Sequence, residues 1–285
     1  MTNSPVQQIS EHVIWMPPAA PDRPSLCWVA GHKRSVLLDA GSSPAHLHAF
    51  LSAVEPYDLP PLRSAVLSHW HWDHVFGASE LNVPIIAHML TTHRLSLMEN
   101  WDWSDAALDA RVATGEEIAF CADNIKLELP EPRRVRILLP DISFNRMLDL
   151  CLGDITVQVH HVGGDHSADC CVAYVPSDGV LFLSDCLYDA IYAPTRHYTR
   201  EKLYPVLDQL LEFDANLYVE GHNRAVLKHD EFLSLVKALR LAGDLVAAMG
   251  KDEPAIFAAV LAETGAPPDD DMREFVRAFM AGLNG

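Results

Sequence analysis

The stretch Ser68-His69-Trp70-His71-Trp72-Asp73-His74 constrains this chain more than any other. It sets three imidazoles and a carboxylate directly behind Ala65-Val66-Leu67, an apolar run that reads as the end of a buried strand. Buried without partners, such groups are costly enough to lose their charge or unfold the segment. The fold must therefore bring partners to them. Neutral imidazole and carboxylate are the donors that zinc, iron and manganese accept at hydrolytic centres.

Elsewhere, too, apolar runs end in polar residues. The run 35–39 ends on Asp39, 180–184 is followed by Asp185, and 216–220 by Gly221-His222. Segments 170–175 and 180–184, around Pro176-Ser177-Asp178-Gly179, read as a hairpin. An antiparallel hairpin sets the start of its first strand beside the end of its second, which brings His166 and Asp185 to one sheet edge. Polar strand ends on apolar strands are what a site on the rim of a β-sandwich requires. His69, His71 and His166 suffice for one metal ion. Asp73, His74 and His222 suffice for a second, with Asp185 bridging. Each ion keeps an open position, the mark of a catalytic rather than a structural site. Two ions roughly 3.5–4 Å apart would share a bridging hydroxide as nucleophile. Asp73 is placed to relay a proton while ligating.

The remaining elements follow from periodicity and turn chemistry. Residues 6–15 read as a first strand, and 26–31 with 35–39 as a hairpin. Residues 44–54 read as a helix capped by Ser43. A short helix over 74–81 and a strand over 83–87 come next. Residues of about 88–146 form a helical excursion, with helical spacing over 88–99 and 104–117 and a break at Leu129-Pro130-Glu131-Pro132. It is expected to cover part of the site, as long excursions often do. Segments 147–152 and 155–161 make a hairpin around Gly153-Asp154. Helices are expected over 200–213, 230–249, 254–264 and 271–283, with those from about 244 to 285 as additions to a single domain spanning 1–285. Met272, Phe275, Val276, Phe279, Met280 and Leu283 form an apolar stripe that packs on its own domain or joins a homodimer.

Several aromatic residues lie near the predicted rim. Trp70, Trp72, Trp101 and Trp103 are core candidates that could instead line a pocket, and His197 and Tyr198 are placed to touch substrate. Of His160 and His161, one is expected to face the site. His88, His93 and His229 are expected on helix surfaces.

Lys plus Arg number 21 and Asp plus Glu 39, a formal charge of −18 that repels phosphate backbones and disfavours a nucleic-acid partner. Arg133-Arg134-Val135-Arg136 is the one short basic run. Six cysteines without a C-x-x-C pair make a poor disulfide framework. Met1 to Trp15 carries no leader pattern, and no run approaches the ~20 apolar residues of a membrane helix. The expectation is a soluble cytoplasmic protein acting on a small molecule, with no membrane partner.

Taken together, Asp39, then His69 to His74, then His166, Asp185 and His222 resemble, in order, the five motifs of the metallo-β-lactamase superfamily. The similarity runs from about residue 6 to about 240. It implies an α/β fold, an αββα sandwich, with a dinuclear and usually zinc site at one sheet edge. It also implies that Asp39 orients a ligand histidine. This chain departs at Gly163-Gly164-Asp165-His166-Ser167, which lacks the usual proline, and at Ser184, where glycine is frequent. Asp185 argues against a true β-lactamase, where that position is usually Cys or Ser, and His71 argues against the flavodiiron branch. Trp72-Asp73-His74 is similar to glyoxalase II, yet the basic residues for a glutathione thioester are not visible. Asp185-Cys186-Leu187-Tyr188 resembles the quorum-quenching lactonases, which implies that Tyr188 donates a hydrogen bond to substrate. The resemblance implies a hydrolase of small lactones, esters or thioesters. The alternatives are a phosphodiesterase or nuclease, a glyoxalase II-like thioesterase, and a non-catalytic metal scaffold.

Overall fold

The computed structural model of the chain describes residues 5–283. Residues 1–4, part of the stretch read for a leader, and 284–285, the end of the predicted C-terminal helices, lie outside them. One sheet contains β1 (Gln7–Gln8), β2 (Val13–Met16), β3 (Leu26–Ala30), β4 (Ser35–Leu38), β5 (Leu62–Leu67), β6 (Ile85–His88) and β7 (Ile142–Phe144), laid side by side in chain order. β1 to β4 pair antiparallel and β4 to β7 parallel. The other sheet contains β8 (Met147–Cys151), β9 (Thr156–His161), β10 (Cys171–Val175), β11 (Val180–Ser184), β12 (Leu217–Glu220) and β13 (Leu227–Lys228). Its pairs are antiparallel except β11 with β12.

The inner strands β2, β3, β6, β10 and β11 are near-continuous apolar runs because both of their faces are covered. On β5, Val66 points into the layer between the sheets, while Ala65 and Leu67 point to the outer helices. On β11, Val180 and Phe182 face the other sheet, and Leu181 and Leu183 face helices. The helices against the first sheet are α1 (Pro44–Val54), α2 (Trp72–Val75), α3 (Met89–Met98), α4 (Asp105–Thr114) and α5 (Ala119–Glu128). Those against the second are α6 (Arg200–Leu210), α7 (His229–Met249), α8 (Glu253–Thr264) and α9 (Asp270–Gly282). The predicted αββα order of layers is therefore the observed one. Ser43 caps α1 as expected, its hydroxyl accepting from His46 N at 3.0 Å.

Four local readings need correction. Residues 6–15 are a hairpin, not one strand: Gln7 pairs with Trp15, and the reversal is held by Asp178, which accepts from His12 N and Ser10 Oγ. The excursion contains a third helix, α5, which buries Cys121, Ala122 and Ile125 beneath the first sheet. β7 and β13 are short strands held by pairing, β7 with the distant β6 and β13 with the adjacent β12. His88 is buried rather than on the surface; it caps α3 and stacks on His161 at 3.8 Å.

In the basic run Arg134 and Arg136 are exposed, whereas the Arg133 side chain is turned inward. Arg133 is buried, donating to Leu129 O and Trp103 O and pairing with Asp105. All six cysteines are free thiols. No helix among the described residues is long and apolar enough to cross a membrane.

Candidate metal centre

The ends of four strands and one loop converge at one edge of the sandwich. His69 follows β5, His71 begins the single turn of α2, and Asp73 and His74 lie within that turn. His166 precedes β10, Asp185 follows β11 and His222 follows β12. Backbone bonds join these ends across the sheets: Cys171 N donates to Ser68 O at 2.9 Å, and Ser25 N to Gly221 O at 2.6 Å. Ser184 and Asp39 have φ of 50° and 61°, the left-handed region. Ser184 therefore occupies a conformation that favours glycine, and its hydroxyl lies 2.8 Å from Ser68 Oγ and 3.2 Å from Asp39 Oδ2.

The seven predicted side chains come together in two groups. Ligand atoms of His69, His71 and His166 lie within 4.8 Å of one another, as do those of Asp73, His74, Asp185 and His222. Asp185 Oδ2 is 3.3 Å from His74 Nε2, 3.4 Å from His166 Nε2, 3.4 Å from His222 Nε2 and 3.9 Å from His69 Nε2. One oxygen thus faces both groups. Asp73 Oδ2 is 3.2 Å from Nε2 of both His74 and His222.

Hydrogen bonds outside the centre turn these rings inward. Asp39 Oδ2 holds His74 Nδ1 at 2.7 Å, Ser68 Oγ is 3.0 Å from His69 Nδ1, and Asp189 O is 3.3 Å from His166 Nδ1. Asp39 is itself fixed by Ser68 N at 2.7 Å and Ser68 Oγ at 2.8 Å. The inward atoms, Nε2 of His69, His71, His74 and His166, are buried without a hydrogen-bond partner, as is Asp185 Oδ1. Folded proteins rarely leave so many polar atoms orphaned in one place. Imidazole and carboxylate donors aimed at common points fit divalent cations, which would satisfy the nitrogens together.

The electrostatics agree with that fit. Burial, then the neighbouring imidazoles, hold His69 and His71 well below the usual imidazole range. Against burial, His74 and His222 hold the carboxyls of Asp73 and Asp185 well below theirs. In turn Asp73, Asp185 and Asp39 raise His74, and Asp185 and Asp73 raise His222, again against burial. The centre thus gathers buried carboxylate charge that is complementary to cations.

The centre opens into a cleft of about 420 Å³. The excursion contributes Phe120 and Cys121, the loop after β11 contributes Tyr188, Ile191 and Arg196, and α9 contributes Glu274 and Phe275. Both the excursion and the C-terminal helices therefore wall it. Tyr188 Oη accepts from His222 N at 3.1 Å. Tyr198 also lines the cleft, but its hydroxyl is committed to Leu187 O at 3.0 Å, and His197 instead bonds to Thr195 O. Neither His160 nor His161 reaches the cleft; His161 Nε2 bonds to Ala168 O at 2.8 Å. Trp72 and Trp103 are core, Trp70 and Trp101 flank it, and none of the four lines the cleft.

Three acids that line the cleft, Asp22, Asp189 and Glu274, went unread in the sequence. Asp22 lines the cleft with Oδ1 3.5 Å from His222 Nδ1, and burial followed by the charge of Asp73 pushes its carboxyl up to about 7. It lies in a proline-rich loop whose only signal is a polar residue between Pro21 and Pro24. That loop is pinned by Arg23, whose Nε donates to both oxygens of Glu128 in α5 at 3.0 and 2.9 Å.

Solved structures with the same architecture include a metallo-beta-lactamase from Pontibacter korlensis, with a TM-score of 0.56 and 18% identity over 81% of this chain and 98% of that one. TMB-1 and VMB-1 align with the same TM-score of 0.56, at 14% and 15% identity, over 81% of this chain and 94% of theirs. At such identities the likeness is one of fold. No curated protein sequence matches the chain significantly. The model of the metallo-beta-lactamase superfamily matches residues 20–248, which take in Asp39 and all seven converging side chains, and the chain belongs to that superfamily.

Proposed function

We propose that the protein is a dinuclear metal-dependent hydrolase that cleaves a small lactone, ester or thioester. The observation that carries this reading is the position of Asp185 Oδ2, 3.3 to 3.9 Å from four inward imidazole nitrogens drawn from both groups. In this reading His69, His71 and His166 hold one ion, Asp73, His74 and His222 hold the other, and Asp185 spans them. Divalent ions there, zinc first and iron or manganese as substitutes, supply Lewis acidity and activate water near neutral pH.

The chain's own residues do the rest. Asp39 fixes the His74 ring so that Nε2 faces inward. Asp73, on the cleft wall, is the group assigned to relay a proton as the scissile bond breaks. Tyr188 Oη accepts from His222 N, which leaves its own proton free for a carbonyl oxygen in the cleft. Burial keeps that phenol above its usual range, so it remains a donor.

The walls favour a neutral substrate. Arg196 is the one cation among the described residues lining the cleft, and its Nε is bound to both oxygens of Asp189 at 2.9 and 3.0 Å. No side-chain cation is left free there to pair with the charge of a phosphodiester or a glutathione carboxylate. The test is a panel of lactones, p-nitrophenyl esters, thioesters and bis(p-nitrophenyl) phosphate, run on metal-loaded and chelator-treated protein. Metal-dependent turnover of the acyl substrates is expected. Turnover of the phosphodiester alone, or of nothing with two ions bound, would refute the reading.

A further inference from the structure

A second compartment borders the metal cleft. A groove of about 910 Å³ runs between α7 and the α8–α9 turn. It shares Tyr188, Tyr198, His222 and Phe275 with the cleft as lining residues, so the two spaces are neighbours across one wall. The floor of the groove is apolar, with Leu239, Val260 and Met272 buried beneath it. Of its charged lining residues, Arg224, Glu231, Asp269 and Asp271 are exposed at the solvent edge, while Glu220 is buried and held by Asn223 Nδ2 at 2.8 Å. The wall from Val260 to Phe275 lies beyond residue 248, where the superfamily match ends. The compartment is therefore built partly by helices that this chain adds to the shared fold.

We propose that the substrate has two parts: a hydrolysable carbonyl that sits at the metal centre, and an extended apolar arm that passes Phe275 and lies along this groove. The shared wall of Tyr188, Tyr198, His222 and Phe275 argues for an arm of the cleft's own ligand over an independent partner. The groove's size is also within the roughly 300–1,000 Å³ of small-molecule sites. The chemistry at the carbonyl rests on the hydrolase reading; the binding of the arm does not.

Two measurements separate the two claims. With metal-loaded protein and p-nitrophenyl esters from acetate to decanoate, kcat/KM should rise about two- to fourfold per methylene, the upper figure being full burial of a CH₂. Ala266→Trp, at the exposed turn, and Ser234→Trp, on the exposed face of α7, obstruct the groove from opposite walls. Each should lower the decanoate-to-acetate ratio at least tenfold. Independently of hydrolysis, calorimetry should show N-decylacetamide binding at least tenfold tighter than N-propylacetamide, with the difference lost in both variants. Ester turnover without a chain-length gain, or a decyl preference untouched by both tryptophans, overturns the groove assignment. Groove-dependent decyl binding with no turnover of any lactone, ester or thioester sustains it and removes the hydrolase reading instead.

Discussion

Replacing Gly221 by alanine adds one methyl group to the wall behind Asp185. A Cβ at Gly221 would lie 1.8 Å from Asp185 Oδ1 and 3.5 Å from His74 Cε1. Contacts of a real Cβ essentially never fall below 3.0 Å, so the carboxylate would have to retreat by about 1.2 Å. The backbone there is not in the left-handed region, so alanine is penalised only through this clash. Retreat is blocked as well, because Asp185 Oδ2 is already 3.3–3.4 Å from Nε2 of His74, His166 and His222. Catalytic constellations tolerate about 0.5 Å of misplacement, and about 1 Å can cost about a hundredfold in rate. The expected outcome for Gly221→Ala is a loss of about a hundredfold in kcat/KM, with weakened and uneven metal occupancy. The metal-free protein should stay folded, destabilised by about 1–3 kcal/mol as for other overpacked sites. Competitive titration against a chelator, metal analysis after desalting, and urea unfolding of the metal-free form measure all three. A variant that binds two ions with unchanged affinity would mean that Asp185 need not stand where it does, and the bridging assignment would fail.

Asp185→Asn keeps the shape but removes the charge, so metal analysis should show weakened or uneven occupancy; unchanged occupancy would contradict the bridging role. Tyr188→Phe should slow lactone or ester turnover while sparing metal content, and an unaltered rate would remove the hydroxyl from the mechanism. His46 is buried, with Nδ1 3.3 Å from Ser42 N, and burial followed by Arg23 and His74 lowers its pKa from 6.5 to about 3. The unfolded chain therefore takes up a proton below pH 6.5 that the folded chain refuses until about pH 3, and stability falls as pH falls through that window. His46→Gln should flatten the dependence of unfolding free energy on pH between 6 and 4 by about 1.4 kcal/mol per unit. An unchanged slope in denaturant titrations would show that His46 titrates normally.

What could be read in advance was the alternation of apolar strand and polar end. Asp39, His69, Asp185 and His222 each follow such a run, and strand geometry alone brings those ends to one edge. The elements that escaped reading owe their form to distant contacts. The reversal within residues 6–15 depends on Asp178, 166 residues away from His12 in sequence. α5 has no side-chain cap and only a weak apolar stripe, so little in its own sequence announces it. Phe275 looked like one more member of a packing stripe, yet it lines the cleft, while Met272, Val276 and Phe279 are buried beside it. Asp22 was invisible because its significance comes from His222, to which no local pattern points.

The origin of the seven side chains has a mechanical consequence. His69, His71, Asp73 and His74 belong to the first sheet's edge, whereas His166, Asp185 and His222 belong to the second's. Ions held between them would act as a rivet through the seam of the sandwich, closing at a single point a loop from His69 to His222, about half of the chain. Stripping the rivet should unzip that end first. Amide exchange at Cys171 and Ser25, whose N–H groups cross the seam to Ser68 O and Gly221 O, is then expected to accelerate ahead of exchange in the strand centres.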